Sequence, residues 1–74
     1  METYEVRETV TEDGWRFPVH YLRRCTIKTE HFYGSPKEYQ TETWFRNGQR
    51  VKSGVYPART EYAVSRLTGT VRVS

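Results

Sequence analysis

Glu30 and His31, neighbours in the sequence and accompanied by arginines such as Arg24 and Arg46, come closest to a catalytic set in this 74-residue chain. A general base, a general acid and a cation around a phosphate are the working parts of a small ribonuclease. Adjacent residues of an extended strand point to opposite faces, however, so the two cannot reach one scissile bond without a bulge. The expectation is that the protein is not an enzyme, a small ribonuclease being only the third reading of its function. Metal chemistry fares no better, since His20 and His31 fall on opposite faces of one stretch and no cluster of Cys or carboxylates supplies further ligands at a recognisable spacing. There is no glycine-rich phosphate loop and no G-x-S-x-G elbow, so neither a metal nor a cofactor is expected.

Binding has more support than catalysis. Arg16, His20, Arg24 and Lys28 recur every four residues on one face of the stretch 15 to 33, which at about 3.3 Å per residue makes a cationic row with a step of about 13 Å. Such a row can track phosphates, and Tyr39, Phe45 or Tyr56 can stack exposed bases beside it. Leu22 interrupts the row, and no aromatic motif of an RNA-recognition sheet is present. The plain alternative is a charged face that only meets solvent. Two tryptophans, six tyrosines and nine arginines are also the residue types that anchor protein interfaces, and a chain this short cannot bury all its aromatics.

The preferred reading is a small non-catalytic binding protein that acts stoichiometrically, as a modulator or inhibitor, on a larger protein or nucleoprotein complex. Arg16, Arg24, Lys28, Arg46 and Arg50 would supply charge, and Tyr39, Phe45 and Tyr56 contact area. The alternative is direct binding of RNA or single-stranded DNA. Self-association, a homodimer through the second hairpin, would consume the same face. In general form, a short β-meander with lopsided charge and no catalytic set, the chain is similar to small phage-encoded modulators of host machinery, a likeness carried by no motif.

The elements that must position these residues are strands. Val, Thr and Tyr are abundant and Leu occurs only at Leu22 and Leu67, a balance that favours sheet. From Trp15 to Lys28 the odd positions are largely apolar and the even ones largely polar, the period of a strand with one buried face. A first strand is expected over 3–11, then a hairpin at Asp13-Gly14 that sets Val10 beside Phe17, Val6 beside Tyr21 and Tyr4 beside Arg23. Pro18 marks a bulge or an edge. Gly34-Ser35-Pro36-Lys37 reads as the next turn, and a loop of that length places Ile27 opposite Trp44. A third strand over 39–46 leads through the hairpin Asn47-Gly48 into a fourth over 49–55, with Trp44 facing Val51.

The core expected from this register is Val6, Val10, Trp15, Phe17, Val19, Tyr21, Cys25, Ile27, Trp44, Val51 and Val55, with Tyr39, Phe45 and Tyr56 on the other face. Residues 57–68 fit a helix that begins at Pro57, ends at Gly69 and places Thr60, Ala63, Val64 and Leu67 on one side; Tyr62 and Val64 also fit a strand. Residues 70–74 then close the sheet. The expected fold is one domain over 1–74, mainly β, a meander of four to five antiparallel strands with one short C-terminal helix; the alternative is a small all-β barrel.

Charge and cysteine content bound the setting. The net charge of +3 hides an asymmetry: residues 1–14 carry a net −4 and residues 15–74 a net +7. The basic body either is neutralised in part by the acidic first strand or seeks an anionic partner. Cys25 is the only cysteine, so no disulfide forms within the chain, and at an apolar strand position it reads as a small core residue. A reducing, cytoplasmic setting is expected, with no signal peptide and no apolar run long enough to span a bilayer.

Overall fold

The computed structural model describes every residue except Met1, Trp15 and Ser74, so the expected core role of Trp15 lies outside the described residues. Five antiparallel strands and one helix follow the order β1 (Glu2–Val10), β2 (Val19–Phe32), β3 (Ser35–Arg46), β4 (Gln49–Pro57), α1 (Thr60–Thr68) and β5 (Arg72–Val73). In the sheet they lie β4-β3-β2-β1-β5, so the first four form a meander and α1 carries the chain back to the far side of β1. This is the expected mainly β fold with one short C-terminal helix.

The first two hairpins keep the expected faces but shift their registers by an even number of residues. Val10 pairs with Val19 and Tyr4 with Cys25, two residues beyond the register that a tight Asp13-Gly14 hairpin would set. Pro18 has no N–H to give a ladder, so β2 begins just after it, and Phe17 stays 64% exposed in the loop instead of entering the core. Glu12 holds that loop by accepting hydrogen bonds from the Tyr21 hydroxyl (2.9 Å) and from Arg46 Nη2 (3.0 Å).

Between β2 and β3 the turn is Tyr33-Gly34, with φ of 49° and 80°, and not the four residues from Gly34 to Lys37. Pro36 is tolerated inside β3 because it faces His31 one step from the turn, where backbone N–H groups point away from the partner strand, and β4 does not extend that far. The shorter turn moves the register by four, so Ile27 meets Gln40 and Cys25 meets Glu42, while Trp44 meets Arg23.

Asn47-Gly48 forms the expected two-residue turn, with φ of 47° and 83°. Asn47 also fastens it to β2: its N–H donates to the His20 carbonyl (2.8 Å) and its Oδ1 accepts from the His20 N–H (3.0 Å). Directly after the turn, β4 bulges. Phe45 pairs with Arg50 but Trp44 with Lys52, leaving Val51 as the extra residue. From that point the faces of β4 are reversed relative to the unbulged reading: Tyr56 joins the face with Gln40, and Val55 lies exposed on the other. Gly54 lies beneath Tyr56, where a Cβ would come 3.0 Å from the tyrosine ring and push it aside by a few tenths of an ångström.

The helix starts later than Pro57. That proline closes β4 opposite Tyr39, the Ala58 N–H continues the ladder to the Glu38 carbonyl (3.0 Å), and Arg59 keeps extended backbone as the N-cap. Gly69, at φ 75°, ends the helix in a left-handed cap. Tyr62, not Val64 or Leu67, is the residue α1 buries: its ring stacks on Tyr4 at 6.1 Å and its hydroxyl donates to Glu2 (2.6 Å), while Val64 and Leu67 remain exposed.

The resulting core is small and polar at its centre. Tyr4, Cys25, Ile27 and Tyr62 form its apolar cluster, and Gln40 and Glu42 are fully buried beside them; Val19, also buried, lies at the start of β2 outside the cluster. A globular chain of this length has a radius of gyration of about 11 Å, and this one reaches 14.6 Å, with a long axis of 52 Å. The molecule is therefore a long, thin sheet with one helix on one face.

Candidate interaction surface

The side of the sheet covered by α1 consumes its own charges. Glu42 is the hub: it accepts both Nε and Nη2 of Arg59 and the Gln40 amide, and Arg23 Nη1 lies 3.8 Å away. Arg23 in turn pairs with Glu61 on α1. Gln40 Oε1 accepts from the Tyr4 hydroxyl (2.8 Å) and from the Arg59 N–H (3.1 Å), which explains why the chain stays extended at Arg59 before turning into the helix. Burial pushes the Glu42 carboxyl up, but hydrogen bonds from Arg59 and Gln40 and the charge of Arg23 outweigh it and hold the group below the usual carboxylate range. Burial also raises the Cys25 thiol, which disfavours the reactive thiolate.

The opposite side, free of the helix, is organised differently. Alternation places Arg7 of β1, Arg24 and Lys28 of β2, Lys37 of β3, Arg50 of β4 and Arg72 of β5 on it, against Glu5 and Glu30. Its ion pairs are exposed: Arg7 with Glu5 at 3.1 Å, Lys28 with Glu30 at 3.1 Å, and Arg24 with Glu5 at 4.0 Å. Such pairs contribute about 0–1 kcal/mol each. Lys37, Arg50 and Arg72 have no carboxylate partner among the described residues. Aromatic rings lie between the cations, with Arg24 at 5.4 Å from the Phe45 ring centre and Lys37 at 5.6 Å from that of Phe32, which meets Tyr39 edge-on at 6.3 Å. Arg7, Thr9, His20, Leu22, Arg24 and Phe45 line a shallow depression of about 480 Å³ on this side.

Of the eight residues expected to bind a partner, five share this face: Arg24, Lys28, Tyr39, Phe45 and Arg50. Arg46 and Tyr56 lie on the helix side, Arg46 held by Glu12 and Tyr56 beneath the Arg59 guanidinium at 4.8 Å. The bulge at Val51 is what turns Tyr56 over. Arg16 stands in the loop before Pro18, outside the sheet, so the row of cations begins at His20. Lys37 and Arg72 were not expected here; Lys37 had been read into a turn, and Arg72 faces this side because β5 pairs Arg72 with Thr3.

Glu30 and His31 point to opposite faces, and Glu30 is engaged by Lys28. Among the described residues no three His, Cys, Asp or Glu side chains come together as a metal site, and no helix is long and apolar enough to cross a membrane. Compared with family models, with curated proteins and with solved structures, the chain matches none.

Proposed function

We propose that this is a non-catalytic binding protein, which acts stoichiometrically as a modulator or inhibitor on a larger protein or nucleoprotein complex through the helix-free face of its sheet. One observation carries the reading: cations on the helix side are largely absorbed into pairs with buried or half-buried carboxylates, whereas among the described residues the helix-free side keeps Lys37 and Arg50 unpaired beside Phe32, Tyr39 and Phe45, and Arg72 unpaired on the far edge strand. A long thin sheet with so small a core also leaves much of its surface for a partner to cover. Aromatic and arginine side chains on such a surface are the anchors that partners engage. The test is affinity capture with the tagged protein and two variants. A partner recovered in equimolar amount by the native protein and by Lys52→Met on the helix side, but lost with Phe45→Ala combined with Arg50→Glu, is the expected result. Equal recovery by all three would refute the placement of the surface.

Direct binding of RNA or single-stranded DNA is the second reading, favoured by Arg24 and Lys28 standing beside Phe45 and Tyr39, phosphate contacts next to stacking platforms. Here labelled RNA, single-stranded DNA and duplex DNA are titrated at low and physiological salt. Affinity that falls steeply with salt and vanishes in Arg24→Glu with Lys28→Glu would establish it over the protein-directed reading.

A further inference from the structure

The two margins of the sheet are left in different states. β5 takes the start of β1, pairing with Glu2 and Thr3, while β4 runs its whole nine residues with no strand beyond it among the described residues. One hydrogen bond fixes which of its backbone groups are free. The Ala58 N–H donates to the Glu38 carbonyl of β3, and residues of an antiparallel ladder alternate between facing the partner strand and facing away. Tyr56, Gly54 and Lys52 therefore turn their N–H and C=O groups to β3, and Val55 and Ser53 turn theirs outward. An unmatched edge of this kind is a template for another strand.

Both ends of the template are closed. Pro57 has no N–H to offer, and the bulge at Val51 breaks the alternation on the other side. What stays open is the run from Lys52 to Tyr56, with Gly54 at its middle. A run centred on one residue is self-complementary in antiparallel pairing. A two-fold axis through Gly54, perpendicular to the sheet, sets Ser53 opposite Val55 of a second copy and Val55 opposite its Ser53, so the outward N–H and C=O groups of both residues all find partners. At the axis Gly54 meets Gly54, and only backbone has to be accommodated there. Lys52 falls opposite Tyr56 of the second copy, cation beside ring, on the helix side of both. The two lysines stand about 13 Å apart along the strands, beyond the screening length at physiological salt, so their charges do not forbid the register.

We propose that the chain forms a weak two-fold dimer through its β4 edges, joining two five-stranded sheets into one with both helices on the same side. The seam uses the edge of the second hairpin and not its aromatic face, so the surface proposed above stays free. So short a seam lies below the standard interface of about 1,200 Å², and a Kd of about 0.1 mM is expected. Both chains are cationic, so salt should tighten the dimer, the opposite of its effect on nucleic-acid binding. Sedimentation equilibrium of the purified protein from about 10 µM to about 1 mM brackets that Kd. Ser53→Pro and Val55→Pro each delete an outward N–H and leave the ladder to β3 whole; each is expected to weaken the dimer at least about tenfold, with the urea midpoint reporting that the fold is kept. Cross-linking reads the register separately. Ser53→Cys chains mixed with Val55→Cys chains and oxidised should form a disulfide-linked heterodimer faster than either variant alone, since directly paired residues lie about 5.5 Å apart and identical ones on a longer diagonal; Cys25 is buried and takes no part. Phe45→Ala leaves the dimer unchanged, so the outcome is independent of the function proposed above. A monomer at about 1 mM, ten times the expected Kd, would leave the edge to a foreign strand and overturn the proposal. A dimer that both proline variants leave intact, or Ser53→Cys alone linking as fast as the mixture, would overturn it as well.

Discussion

The two faces of this sheet hold similar charged residues to opposite effect. On the helix side, Glu42 is fully buried and gathers Arg59, Gln40 and Arg23 around it, and Tyr4 and Tyr62 close the cluster. On the helix-free side, Glu5 and Glu30 meet Arg7, Arg24 and Lys28 in water. A buried carboxylate that loses its charge leaves its cations stranded, while an exposed one is replaced by solvent. The first face is therefore committed to the fold, and the second is free to serve a partner.

Glu42→Gln is the sharpest way to break that contrast. The amide keeps the shape but leaves Arg59 without its bidentate acceptor and Arg23 with Glu61 alone. Removing one partner of a buried pair costs about 3–5 kcal/mol. A domain of this size has in total roughly 4–11 kcal/mol, on the scale of about 0.05–0.15 per residue. The variant is expected to unfold at much lower urea than the native protein, or to be largely unfolded without it. A midpoint within experimental scatter of the native one would show that the cluster is a passenger in the core.

Acidity should act through the same face. Glu42 is held below the usual carboxylate range, so its stabilising contribution is complete above the unfolded value near 4.5 and is lost as pH falls through the folded one. Tyr4 and Tyr62 are both raised by burial, so theirs is complete below the unfolded value near 10.0 and is lost as pH rises past it. Because the Cys25 thiol is raised as well, from an unfolded value near 9.0, urea midpoints should be level across neutral pH and decline below about 4.5 and from about 9 upward, with the acid decline flattened in Glu42→Gln. An acid limb unchanged by that substitution would assign it to carboxylates elsewhere, such as Glu12 with its hydrogen bonds from Arg46 and Tyr21.

These features differ in how far they could be read from the sequence. Which residues share a face in β1, β2 and β3 was legible, because the alternation survives any even shift in register. The size of the shift was not. It depends on Pro18 closing the ladder and on Tyr33 accepting a positive φ that its type does not advertise. The buried polar centre follows from that shift, which puts Gln40 opposite Ile27, the place expected for Trp44, and Glu42 opposite Cys25. One signal did point to it: Arg23 lies on the apolar face of β2 between Tyr21 and Cys25, and a cation there demands a carboxylate. The bulge at Val51 leaves no mark in the residue pattern, so the pattern puts Tyr56 and Val55 on the wrong sides.

The smallest effect tests the open face. Glu5→Gln removes the acceptor of two exposed ion pairs, with Arg7 and with Arg24. Each pair fixes two long side chains for little Coulomb gain, and salt screens what remains. Stability is expected to change by no more than about 0.5 kcal/mol in urea, and 1 M salt should not alter that difference. A loss above about 1.5 kcal/mol would mean that these charges act as a network and that this face, too, belongs to the fold. If stability is instead unmoved, Arg7 and Arg24 gain freedom beside Phe45, and any anionic partner of this face should bind Glu5→Gln more tightly than the native protein, because its own competitor for those arginines has been removed.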